Sequence, residues 1–130
     1  MNTKKNKGSL AYQLATFKYA WHGLRYFFDA ELKATIHLIA AILAIGFGIF
    51  LKIPAIEWMM IAFAIGMVFI TEILNTAIEL LVDMIKPEQN KIAGVIKDLA
   101  ASAVLVASIT AFAIGTIVYL PKLLIIIKNF

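Results

Sequence analysis

Four polar side chains interrupt an otherwise apolar stretch, "TEILNTAIELLVD" at residues 71–83: Glu72, Asn75, Glu79 and Asp83. On a helix turning about 100° per residue they fall within an arc of roughly 80°. Ile73, Leu74, Ile78, Leu80, Leu81 and Val82 lie mainly elsewhere on the circumference. An ionisable group costs at least ~2.5 kcal/mol at the centre of a membrane helix, so three acids on one stripe must face protein or water. Hydrogen bonds between membrane helices average only ~0.6 kcal/mol, and a neutral Asn or Ser supplies one without desolvating a carboxylate. The residue types suit other chemistry better. Mg²⁺ binds through one or two carboxylates plus substrate phosphate oxygens. Phosphoryl transfer needs such a metal, a cation near the phosphates, and a carboxylate to take the proton of the attacking hydroxyl. Lys97 and Asp98 follow as a "KD" pair that can supply the cation. On these residues alone three roles stay open: phosphoryl transfer, proton or cation transport, and a structural role between helices.

Nothing else in the chain resembles a nucleotide site. There is no G-x-x-x-x-G-K-[ST] loop and no G-x-G-x-x-G. His22 and His37 have no second metal ligand at helical spacing beside either, and both are read as hydrogen-bonding or interfacial residues. The chain lacks cysteine, which excludes disulfides and thiolate metal sites.

The elements that must position these groups are membrane helices. Of the 130 residues 62% are hydrophobic, against about 45–50% in a soluble domain. Residues 34–51, "ATIHLIAAILAIGFGIFL", are a first run long enough for a hydrocarbon core of ~30 Å at ~1.5 Å per residue. "KIPAIE" makes a turn, a second run starts at Trp58, "MIKPEQNK" makes a second connection, and a third run ends before Pro121. Ahead of them Leu10, Leu14, Phe17, Trp21, Leu24 and Phe28 recur every three or four residues, with Gln13, Lys18, His22 and Arg25 off that stripe. This pattern predicts an amphipathic helix lying in the membrane interface. The expected fold class is an all-α integral membrane protein, one domain over 1–130, with a surface helix near 9–29 and transmembrane helices near 33–51, 57–84 and 94–120. The small-residue stripe Ala101, Ser108, Ala111 and Gly115 is read as helix packing, and Trp58 and Tyr119 as an aromatic belt.

Charge sets the expected orientation. The net charge of +4 is not spread along a basic face as in a nucleic-acid binder. Lys4, Lys5, Lys7, Lys18, Arg25, Lys33, Lys86, Lys91 and Lys97 fall on one side, against Lys52, Lys122 and Lys128 on the other. Nine against three puts the N-terminus and the second connection in the cytoplasm. No cleavable leader is read at the N-terminus, where Lys18 and Arg25 interrupt any apolar core. Glu31, the 71–83 stripe and the Lys97–Asp98 pair then share the cytoplasmic side.

The run "TEILNTAIELLVD" with the later "KD" resembles the prokaryotic diacylglycerol kinase family, whose signature is Glu-x-x-Asn-[Ser/Thr]-Ala-x-Glu-x-x-x-Asp. The likeness extends through "YAWHGLRYFFDAE" and "KDLAASAVLVA" over roughly residues 15–120. The resemblance implies a homotrimer in the bacterial inner membrane that moves the γ-phosphate of ATP to a lipid hydroxyl at the cytoplasmic face. By the same resemblance Glu72 looks like the carboxylate that accepts the lipid proton. Glu31 and Glu79 look like the Mg²⁺ ligands, Asn75 sits beside the phosphates, and Lys97 is the cation on the transferring group. Asp83 and Asp98 look like nucleotide-site residues. Family members often carry an aromatic residue and a His where this chain has Gln89 and Asn90, and an Arg where it has Val95. "ELKATIH" keeps Glu31 and His37 of the Gram-positive undecaprenol kinase branch but has Lys33 in its Asn position. Undecaprenol is therefore favoured over diacylglycerol as acceptor.

Overall fold

The computed structural model describes residues 10–30, 32–85 and 90–129. Among them the chain forms four α-helices and no strand: α1 (Leu10–Ala30), α2 (Leu32–Phe50), α3 (Ala55–Ile85) and α4 (Lys91–Lys128). The last three are each long and apolar enough to cross a membrane. Most of their large side chains stand exposed on the single chain, Phe63 and Phe112 among them. That is an apolar surface for lipid or protein to cover.

Small residues let the helices approach. Ala34 and Ala41 on α2, Ala64 on α3, and Ala100 and Ala107 on α4 are all buried, as expected where apolar solvent removes the hydrophobic drive and close packing must replace it. α3 packs most extensively on α4 and less on α2. A cluster of Ile53, Ile61 and Val118 closes the end of the bundle near the α2–α3 turn, with Trp58 and Tyr119 packed against it. Trp58 and Tyr119 are thus engaged inside the protein, and the Tyr119 hydroxyl donates to the Ala44 carbonyl at 2.7 Å. Even a half-buried phenol is best satisfied by such a partner.

The α2–α3 turn is tight for a local reason. Lys52 adopts a left-handed φ of 50°. Its N–H donates to the Ile49 carbonyl and that of Ile53 to the Gly48 carbonyl, both at 3.2 Å, a Schellman end to α2. A Cβ on Gly48 would lie 2.7 Å from the Trp58 ring and 3.1 Å from Ile53. Gly48→Ala is therefore expected to cost about 1–3 kcal/mol through overpacking. Thermal unfolding in detergent checks this, and an unchanged Tm would mean that the ring moves aside freely.

α4 corrects one expectation. The helix does not stop at Leu120 but continues through Pro121 to Lys128. An interior proline costs about 3 kcal/mol because it has no N–H and crowds the preceding turn. Beside it, Lys122 donates to Glu57 on α3 at 2.7 Å, and the apolar run from Leu123 to Ile127 prolongs the helix. At its other end Asn90 caps α4, its Oδ1 accepting from the N–H groups of Ile92 and Ala93.

Candidate active site

The polar stripe of α3 runs from the protein interior to its surface. Glu72 and Asn75 are each 3% exposed, Glu79 is half-buried and Asp83 is exposed. Eleven residues of helix separate Glu72 from Asp83, about 16 Å along the axis. One end of the site is therefore desolvated and the other is open.

Each acid has a partner on another helix. Glu72 Oε1 lies 2.8 Å from His37 Nε2 on α2. Asn75 donates through Nδ2 to Glu79 Oε1 at 2.9 Å, and Lys33 Nζ of α2 is 4.0 Å from the same oxygen. Asp83 receives Lys97 Nζ of α4 on both oxygens, at 2.9 and 3.1 Å. α3 thus carries the acids, while α2 and α4 bring the cations and the imidazole. Asn75 Oδ1 is buried with no partner among the described residues, whereas buried acceptors are ordinarily paired.

Asp98 stands apart. It is exposed and forms no hydrogen bond or ion pair among the described residues, because one residue along α4 turns it about 100° from Lys97. Glu31 lies outside the described residues. Among the described residues no three His, Cys, Asp or Glu side chains gather as a metal cluster. Mg²⁺ does not need one, since it binds through one or two carboxylates and takes its other oxygens from phosphate and water. Glu79, half-buried and met among the described residues by the Asn75 amide and a distant Lys33 ammonium, is a donor of that kind.

His37 and Lys33 were not singled out for the site from the sequence. Their spacing of four residues puts them on one face of α2, a signal that was available, but spacing does not reveal which helix that face meets.

A cavity of about 530 Å³ lies between α2, α3 and α4. His37 lines it, and the rest of its wall is mainly apolar, with Ala41, Ala64, Val68, Ala111 and Gly115 among the lining residues. Ser108, Ala111 and Gly115, expected to pack helix on helix, line this space instead. α1 closes on the same region: Phe27 is buried, and the Phe28 ring tilts against Phe69 of α3 with centroids 5.9 Å apart. The arrangement sets an enclosed carboxylate beside an apolar cavity, with a row of polar groups leading from it to water.

The sequence pattern of the family described as prokaryotic diacylglycerol kinase matches residues 18–119. An undecaprenol kinase of Bacillus subtilis is 35% identical over 123 residues, which is 95% of this chain and 100% of that protein. A diacylglycerol kinase of Synechocystis is 37% identical over 112 residues, 85% of this chain and 64% of that protein. A diacylglycerol kinase of Escherichia coli is 37% identical over 93 residues, 72% of this chain and 76% of that protein.

Proposed function

Because the chain belongs to the prokaryotic diacylglycerol kinase family, we propose that it is a lipid kinase that transfers the γ-phosphate of ATP to the hydroxyl of a membrane lipid alcohol. The observation that carries this is the buried Glu72 carboxylate, 2.8 Å from a histidine that lines an apolar cavity. The acceptor keeps its chain in apolar surroundings and brings its hydroxyl to that carboxylate. Glu72 takes the hydroxyl proton, the freed oxygen pair forms the new bond to phosphorus, and the bond from the γ-phosphorus to its bridging oxygen breaks, leaving the pair on ADP.

The exposed end of the stripe is the nucleotide side. Lys97 sets its ammonium on the transferring phosphate, exchanging Asp83 for it, and Asn75, Asp83 and Asp98 organise the nucleotide. Glu79 with Glu31 would hold Mg²⁺, which when bound offsets the negative charge of the phosphates. Undecaprenol is the favoured acceptor and diacylglycerol the other. The similarity to the Bacillus subtilis protein over its full length supports that order, as does His37, a feature shared with the undecaprenol kinase branch. The active assembly is a homotrimer in the bacterial inner membrane, with the N-terminus cytoplasmic and α1 lying in the interface. The exposed Leu10, Leu14, Phe17 and Trp21 of α1 support its interfacial position.

The test is a radiolabelled ATP assay on the purified protein in mixed micelles, offering undecaprenol and diacylglycerol separately. Label is expected in undecaprenol more than in diacylglycerol, lost with EDTA and restored by excess Mg²⁺. No label in either lipid, together with no ATP binding, would overturn the kinase and leave transport through the acidic stripe.

A further inference from the structure

We propose that His37 is the positioning residue for Glu72, holding the general base by a single hydrogen bond across the α2–α3 interface. This rests on the proposed role of Glu72 as the base. The two side chains are 35 residues apart in sequence and 2.8 Å apart in space. The Glu72 side chain is 4% exposed and that of His37 is 23% exposed. A buried carboxylate without a partner is costly, and among the described residues His37 is the one hydrogen-bond partner Glu72 has. The other polar groups of the stripe are engaged elsewhere: Asn75 and Lys33 with Glu79, and Lys97 with Asp83. None of them substitutes for the imidazole.

The direction of the bond follows from the groups. An ionised carboxylate only accepts, so the hydrogen sits on Nε2 of His37. That bond occupies Oε1 and leaves the second carboxylate oxygen for the lipid hydroxyl. A glutamate side chain has three rotatable bonds, and a bond at one oxygen removes most of that freedom. General-base catalysis depends on such geometry, since a misplacement of ~1 Å can cost about 10²-fold in rate. His37 also lines the apolar cavity, so the group that holds the base is in contact with the space proposed for the lipid.

The experiment compares His37→Leu with His37→Gln in the same lipid kinase assay. Leu retains bulk without a donor, whereas the Gln amide nitrogen reaches about as far along the side chain as Nε2. His37→Leu is expected to lower kcat about 10–100-fold with KM for ATP unchanged, and His37→Gln to recover most of the loss. Equal loss in both variants, with assembly intact, would overturn the proposal, as would full turnover in His37→Leu. In a Glu72→Gln background His37→Leu should add no further loss, and an independent further drop would also overturn it. A second measurement does not depend on the Leu variant folding. In protein labelled with ¹⁵N at histidine, Glu72→Gln should shift the Nε2 resonance of His37 and leave that of His22 in place. An unmoved His37 signal would refute the contact. Should Glu72→Gln itself keep wild-type turnover, the base assignment fails; should it be inactive while His37→Leu is fully active, the positioning role alone fails.

Discussion

Glu72→Gln should lower lipid phosphorylation by about 10²–10⁴-fold, the range a positioned general base contributes, while the protein still folds and assembles. The amide keeps the shape of the carboxylate, and its oxygen can still accept from His37 Nε2, 2.8 Å from Oε1 in the native chain. What disappears is the capacity to take a proton at neutral pH. Stability should hold or improve, because the substitution removes a charge from a site that is 3% exposed, and buried charges are expensive even when paired. The measurement is turnover with saturating ATP and lipid, alongside a thermal melt in the same detergent. Near-wild-type turnover would show that Glu72 is not the base.

Lys97→Met should lower kcat/KM for ATP about 10²–10³-fold, the usual effect of losing one electrostatic contact to charge that develops in the transition state. In the free chain Lys97 Nζ sits between the two oxygens of Asp83 at 2.9 and 3.1 Å. Both side chains are partly open to solvent, at 37% and 62% exposure, so the pair contributes little to stability. Its value in the proposed mechanism is placement: Asp83 would keep the ammonium at the open end of the stripe until phosphate replaced it. Methionine retains the stem and removes only the charge. An unchanged melting temperature with a collapsed kcat/KM would assign Lys97 to the phosphates, whereas full activity would remove it from the site. Lys97→Arg should recover activity only in part, because a planar guanidinium does not occupy the position of a compact ammonium.

The residues that carry these two predictions differ in how they could be known. Helical periodicity is local, so the sequence alone determines that Glu72, Asn75, Glu79 and Asp83 share one face of α3. The apolar runs likewise mark three helices able to cross a membrane. Lys97 was legible because it forms a compact "KD" pair at the start of an apolar run. The continuation of α4 through Pro121 was not, because the proline signal is local and the tie from Lys122 to Glu57 joins residues 65 apart in the sequence. For the same reason only the tertiary structure decided that His37 meets Glu72 and that Lys33 approaches Glu79. It also decided that Ser108, Ala111 and Gly115 of α4, expected to pack helix on helix, line a cavity. Period and spacing decide which side chains share a face of one helix. The rotation and depth of one helix against another come from packing over the whole interface, and no short stretch of sequence contains that information.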